Sequence, residues 1–220
     1  MKKAIILFSG GLDSTTCLAL AKSQGFECYA MSFNYGQKHQ IELESAKRIA
    51  SHYDVTHKIV SLPLADWGGS ALTDNQLEVP EYTGNNEIPM TYVPARNTIF
   101  LSFALAWAEV LNANDIFIGV SAIDYSGYPD CRPEFMNAYQ TMIKKGMKSG
   151  VEGRTIKIIT PLLKMTKAQI IKLGMKLKVP YELTWSCYKG SGPCGECDSC
   201  LLRQKGFEEA GLKDPIFNVK

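Results

Sequence analysis

Residues 8–15, "FSGGLDST", set two glycines, three hydroxyls and one carboxylate between an apolar run and a plausible helix. A loop in that position offers an anion the unpaired N–H groups and positive dipole end of the helix, with little side chain in the way. Gly10 and Gly11 permit the turn and a close approach. Ser9, Ser14 and Thr15 add hydroxyl donors. The Lys-Ser/Thr ending of a P-loop is missing, so the loop is poorly equipped to grip a transferring γ-phosphate. It suits a pyrophosphate leaving group, and so cleavage between the α and β phosphates. Asp13 either caps the helix or helps hold Mg²⁺. Two glycines alone also fit an ordinary Gly/Ser turn with an aspartate cap.

A second cluster is "CYKGSGPCGECDSC" (187–200), which holds Cys187, Cys194, Cys197 and Cys200. Short spacings let four thiolates converge on one ion, and Gly190, Gly192 and Gly195 allow the tight turns. Four thiolates suit tetrahedral Zn²⁺. An iron–sulfur cluster is the rival, because Cys-x2-Cys-x2-Cys also occurs in ferredoxin-like runs. Nothing else in the chain suggests electron transfer, and zinc is preferred. Four protein ligands leave no open position, so the zinc is structural and clamps the C-terminal segment. Cys17, Cys28 and Cys131 lie elsewhere, and Cys17 reads as a packed thiol.

A third group is "GVSAIDYSGYPDCR" (119–132), with Asp124, Tyr125, Tyr128, Asp130 and Arg132. One carboxylate can accept both the N1–H and the 2-amino group of a guanine-like edge, and tyrosines can stack on the ring. Whether Asp124 or Asp130 does so is open, and a polar loop with a Gly-Tyr-Pro turn explains the segment equally well.

The elements that carry these groups alternate. Strand-like runs at 4–8, 28–33, 57–62, 115–120 and 156–162 are interleaved with helical patterns from Asp13, at 38–53, 97–112, 132–147 and 166–178. In the second helix Ile41, Ala46, Ile49 and Ala50 form an inner stripe, with Glu42, Glu44, Lys47 and Arg48 outside. The alternation predicts an α/β fold with a doubly wound parallel sheet, which places 119–132 at a strand's C-terminal end, where open sheets bind ligands. Residues 63–95 lack periodicity and read as a lid, a partner contact, disorder or a surface excursion.

At 220 residues, 45% hydrophobic and 21% charged, the chain suits one α/β domain with a small appendage. Its net charge of +2 shows no basic stripe for nucleic acid. "AIILF" after Lys2 and Lys3 is too short for a signal core, and residues 98–113 fall short of the roughly 20 needed to cross a bilayer. The expectation is a cytoplasmic protein with no membrane partner, whose tight cysteine cluster is a metal site rather than a disulfide framework.

The hexamer "SGGLDS" resembles the PP-loop signature of the ATP pyrophosphatase superfamily. Its members adenylate a carboxylate, carbonyl or amide oxygen, release pyrophosphate and let a nucleophile displace AMP. Over nearly the whole chain "FSGGLDSTTCL", "FNYGQKH", "YVPARN", "GVSAIDYSGYPDCR", "TPLLKMTKA" and "CGECDSCLLRQKGF" follow the order of the 7-cyano-7-deazaguanine synthase family of the queuosine pathway.

The resemblance implies an adenine nucleotide alpha hydrolase-like fold over 1–180 and a cysteine-bound helical segment over 181–220. It also implies conversion of 7-carboxy-7-deazaguanine to the nitrile with ATP, Mg²⁺ and ammonia, by a homodimer. Phe8, Ser9, Gly10, Gly11, Leu12, Asp13, Ser14, Thr15, Tyr35 and Gln37 would bind ATP, and Lys167, with Lys164 a weaker candidate, would stabilise charge at the α-phosphate. Arg96 and Asn97 would contact nucleotide or substrate carboxylate, unless Asn97 simply caps its helix. Asp124, Tyr128, Asp130 and Arg132 would hold the purine. His39 is a candidate general base or a hydrogen-bonding surface residue. Rival readings are a tRNA-modifying PP-loop enzyme of thiouridine or lysidine type, and a nucleotide-binding zinc protein without turnover.

Overall fold

The expected strands are five parallel strands in the computed structural model, which describes residues 1–80, 88–123, 127–190 and 192–217. They are β1 (Lys2–Leu7), β2 (Phe26–Asn34), β3 (Thr56–Ser61), β4 (Asp115–Ile118) and β5 (Lys157–Ile159), in the order β3-β2-β1-β4-β5. The helices are α1 (Leu12–Ser23), α2 (Ile41–His52), α3 (Arg96–Leu111), α4 (Pro133–Gly146), the single turn α5 (Lys148–Val151), α6 (Lys167–Lys176) and α7 (Asp198–Ala210).

Strand side chains alternate between two cores, as a period of two requires. Ile5, Leu7, Met31, Phe33, Ile116 and Ile118 pack beneath α3 and α4, against Leu101, Leu105 and Ile143. Ala4, Ile6, Cys28, Ala30 and Phe117 face the other way, onto Leu18 of α1 and Ala46 and Ile49 of α2. Covering both faces is what an all-parallel sheet needs. Strand order reverses between β1 and β4, and the crevice at their carboxyl ends is the expected ligand position.

Three expectations need correction. Strand β5 ends at Ile159 rather than 162, because Pro161 has no N–H for a ladder and the Leu163 N–H turns back onto the Thr160 carbonyl at 3.2 Å. The buried stripe of α2 is Leu43, Ser45, Ala46, Ile49 and Ala50, with Ile41 only partly covered. That rotation brings Glu42 off the expected outer face and into the crevice. The long segment 63–95 is no loose excursion where it is described. Ser70, Ala71, Leu72, Thr73, Thr91 and Val93 are buried, and Ala71 N–H donates to the Met90 carbonyl at 2.8 Å. Among the described residues no helix is long and apolar enough to cross a membrane.

A third core joins α1 to α6 and α7 through Cys17, Ile170, Ile171, Tyr181 and Phe207. Helix α6 starts with a capping box, Thr166 Oγ1 accepting from Gln169 N–H at 3.3 Å and Gln169 Oε1 from Thr166 N–H at 2.9 Å. The box fixes Lys167 as the first helical residue. After the cysteines, Arg203 of α7 is 2% exposed and fully engaged: bidentate with Asp214 (2.7 and 2.9 Å), and bonded to Thr184 Oγ1 and the Tyr181 carbonyl. This buried pair holds the C-terminal segment together, and the Tyr181 hydroxyl, 2.9 Å from Thr16 Oγ1, joins it to α1.

Candidate active site

A cleft of about 250 Å³ opens at the β1–β4 crevice, lined by the loop after β1, the ends of β2 and β4, α3, α6 and the cysteine segment. Gly11, not Asp13, is the N-cap of α1. Gly10 has φ +79, and a Cβ there would lie 2.6 Å from Ala46 N, so only glycine lets the loop rest on α2. Gly119, just past β4, also approaches α1 closely; an added Cβ would sit 3.0 Å from Ser14 N. The loop braces itself. Ser9 Oγ and Ser14 Oγ are 3.1 Å apart, Gly11 N–H donates to Ser9 Oγ, and the Ser14 and Thr15 hydroxyls donate to the Gly11 carbonyl.

Ser9, Gly11, Leu12, Asp13 and Ser14 therefore line the cleft as an open helix N-terminus suited to an anion. Thr15 does not join them. It is fully buried, with its hydroxyl on Gly11, so it shapes the loop from behind. Gly10 likewise supplies backbone shape, its carbonyl accepting from Trp185 N–H at 3.0 Å.

Lys167 crosses from α6 to hold both oxygens of Asp13, at 2.9 and 2.7 Å. Its side chain is 7% exposed. The stem runs over Gly206 of α7, where a Cβ would lie 2.3 Å from Lys167 Cγ. A fixed cation thus stands beside the anion-binding amides, where it can stabilise developing negative charge. Lys164 does not line the cleft.

The opposite wall is built by α3 and the loop after β2. Ala95 adopts the left-handed conformation (φ 56) as the N-cap of α3, which starts with Arg96 and Asn97. The Asn97 side chain does not cap. Its backbone N–H donates to Asp130 Oδ2 at 3.1 Å, and its amide donates to the Asp130 carbonyl and Cys131 Sγ. Asp130, buried, is engaged in supporting α3. Tyr128 lines the cleft with its hydroxyl 2.7 Å from Thr91 Oγ1. Arg132 is exposed at the N-cap of α4 and is not part of the lining. Asp124 and Tyr125 lie outside the described residues.

Tyr35, Gln37, Lys38 and His39 border the cleft beyond β2. Gln37 is used within its loop: Oε1 accepts from Tyr35 N–H (2.8 Å), and Nε2 donates to Glu42 Oε1 (2.9 Å). Burial pushes the Glu42 carboxyl up to about 7, opposed by Arg96 and the Gln37 bond. Burial also raises Tyr35, with Glu42 adding to the effect. The thiol of Cys131 is pushed up to about 12 by burial and by Asp130, and that of Cys17 rises through burial. Neither suits a nucleophile.

The sulfurs of Cys187, Cys194, Cys197 and Cys200 lie within 4.8 Å of one another, with no disulfide among them. Lys189 and Cys194 N–H donate to Cys187 Sγ, and Cys197 N–H to Cys194 Sγ, as thiolates in a metal site require. With metal–sulfur bonds of about 2.3 Å, tetrahedral sulfurs stand about 3.8 Å apart, so the set fits one ion after a small contraction. Cys187, with Trp185 and Tyr188 beside it, forms part of the cleft wall.

Residues 3–211 match the family model described as "Queuosine biosynthesis protein QueC". A relative from Coxiella burnetii, named 7-cyano-7-deazaguanine synthase, is 61% identical over 219 residues, covering 98% of this chain and 97% of its own. Among solved structures, NMN synthetase from Francisella tularensis superposes with a TM-score of 0.53 at 17% identity, covering 96% of this chain and 78% of that one. A 4-thiouridine synthetase–RNA complex with bound ATP gives 0.52 at 18% identity, with 96% and 50% covered. At such identities these two likenesses speak for the fold.

Proposed function

The chain belongs to the QueC family of queuosine biosynthesis proteins, and from that premise we propose that it converts 7-carboxy-7-deazaguanine and ammonia to 7-cyano-7-deazaguanine at the expense of ATP. The single observation that carries this reading is the Lys167–Asp13 pair set against the open N-terminus of α1. Amides for a pyrophosphate and a cation for the α-phosphate stand together, without a γ-phosphate lysine.

A carboxylate on an electron-rich pyrrole is a poor electrophile until its oxygen becomes a leaving group. In this reading Arg96, a permanent cation on the wall facing the loop, holds that carboxylate. The amides of Leu12, Asp13 and Ser14 hold the departing pyrophosphate. Lys167 stabilises charge at the α-phosphate as the carboxylate oxygen attacks. Asp13, both of whose oxygens are held by Lys167, would share one of them with a Mg²⁺ carried with ATP. Ammonia displaces AMP to give the amide. A second activation of the amide oxygen, with loss of AMP and a proton, gives the nitrile. Asp130 is engaged at α3, and the other carboxylate proposed for the purine edge is Asp124.

Zn²⁺ held by Cys187, Cys194, Cys197 and Cys200 is structural in this reading, and clamps residues 181–220 onto a nucleotide-binding unit of 1–180. A cytoplasmic homodimer completes it. A small-molecule substrate is favoured over tRNA by the name of the 61% identical relative. Heavy-oxygen-labelled substrate carboxylate tests the chemistry: label should appear in the phosphate of AMP. ADP and phosphate as products, or unlabelled AMP, would refute adenylation.

A further inference from the structure

Ammonia near neutral pH is almost all ammonium, whose nitrogen has no lone pair to attack with. The cleft therefore needs a proton acceptor, and its lining restricts the choice. Both oxygens of Asp13 are on Lys167. Burial raises Tyr35, Tyr128 and Cys131. Lys167, Arg96 and Arg203 are cations. Among the described carboxylates and imidazoles that line the cleft, His39 and Glu42 remain.

Glu42 is the better built of the two. Its backbone supports the anion-binding loop, since a Cβ at Gly10 would lie 2.7 Å from the Glu42 carbonyl. Its Oε1 is tied by Gln37 Nε2, which fixes the carboxylate, while Oε2 has no hydrogen-bond partner among the described residues. Arg96 acts on it from α3 and Tyr35 from the end of β2. Lys38 and His39, Asp13 with Lys167, and Tyr188 line the same cleft around it. We propose that Glu42 is the base that generates ammonia for the amide-forming step, an inference that rests on the adenylation reading above.

The Oε2 atom takes a proton from ammonium, leaving ammonia and a neutral carboxyl. The nitrogen lone pair then forms the C–N bond to the activated carbon held at Arg96. The C–O bond to AMP breaks and its electron pair leaves with AMP. The nitrogen sheds its extra proton to solvent, and Glu42 releases its own there before the next turnover. Burial holds Glu42 at about 7, where a base both accepts and releases a proton readily.

The test compares Glu42→Gln, Glu42→Asp and His39→Gln in two assays: pyrophosphate–ATP exchange with 7-carboxy-7-deazaguanine, which needs no ammonia, and amide formation against total ammonium at several pH values. Glu42→Gln should keep exchange within about twofold and lose about 100-fold in the ammonium kcat/KM at neutral pH. The deficit should shrink as rising pH supplies free ammonia, and Glu42→Asp should recover part of it. An unchanged ammonium dependence in Glu42→Gln overturns the proposal. So does an equal loss in both assays, which would make Glu42 structural, or the ammonium defect appearing in His39→Gln instead. Absence of exchange in the unaltered enzyme is distinguishable from all of these, and removes the adenylation reading with the inference.

Discussion

Gly206→Ala is the most informative single change, because two local arguments oppose each other. Gly206 is inside α7, where alanine is favoured by about 1 kcal/mol on helix propensity alone. The alanine Cβ would lie 2.3 Å from Lys167 Cγ, 2.8 Å from its Cβ and 3.0 Å from Ile171 Cδ1. Non-bonded carbons rest about 3.5–4.0 Å apart, so the lysine stem must retreat by more than about 1 Å or α7 must lift from α6. Overpacking of this kind costs about 1–3 kcal/mol, and propensity offsets about 1, leaving a net loss of about 0–2 kcal/mol. At about 2–4 °C per kcal/mol for a chain of this size, Tm should fall by no more than about 8 °C. Turnover should suffer far more, since a displacement of about 1 Å at a charge-stabilising group costs about 100-fold. Steady-state nitrile formation and a thermal melt on the same preparation separate the two effects. A folded Gly206→Ala enzyme with unaltered kcat would refute the claim that α7 positions Lys167.

Asp214→Ala leaves the Arg203 guanidinium buried without its carboxylate, and should cost about 3–5 kcal/mol; a thermal melt unchanged within about 2 °C would contradict this. Cys197→Ser should lose its bound metal and much of its solubility, because metal binding energy is also folding energy; elemental analysis showing full zinc in the soluble variant would overturn the ligand set. Glu42 is raised from 4.5 to about 7 in the folded chain, so its contribution to stability is complete below pH 4.5 and lost as pH rises through about 7. The loss amounts to about 3 kcal/mol. Urea unfolding should show the unaltered protein weakening over that window and Glu42→Gln not doing so, and parallel curves would count against the shift.

What could be read in advance was local. A strand, two glycines and a helix start are contiguous, so the anion site at residues 8–14 follows from order along the chain. The four cysteines are close in sequence, and their convergence needed only short turns. The alternation of apolar runs with helical patterns foretold a parallel sheet covered on both faces. Hidden from the sequence were pairings made by packing. Nothing near Asp13 announces Lys167, which is 154 residues away. Glu42 sits among charged residues of an amphipathic helix, and only the rotation of α2 on the sheet turns it inward. Asp130 looked like a ligand-reading carboxylate, yet the start of α3 lacks a side-chain cap of its own and takes that carboxylate instead. Thr15 is in register with the loop but one residue too deep in the helix to face the cleft. Arg203 reads in the sequence as one more basic residue of the C-terminal helix; a single arginine amid "SCLLRQKGF" carries no sign that it will be buried.

The central claim is that one cleft joins a pyrophosphate-binding loop to a deazapurine carboxylate. The most direct measurement is one incubation of pure protein with 7-carboxy-7-deazaguanine, ATP, Mg²⁺ and ammonium, with purines and nucleotides identified together by mass spectrometry. The expected result is nitrile accompanied by AMP and pyrophosphate. Unchanged purine with intact ATP, or nitrile formed with ADP and phosphate, would contradict it.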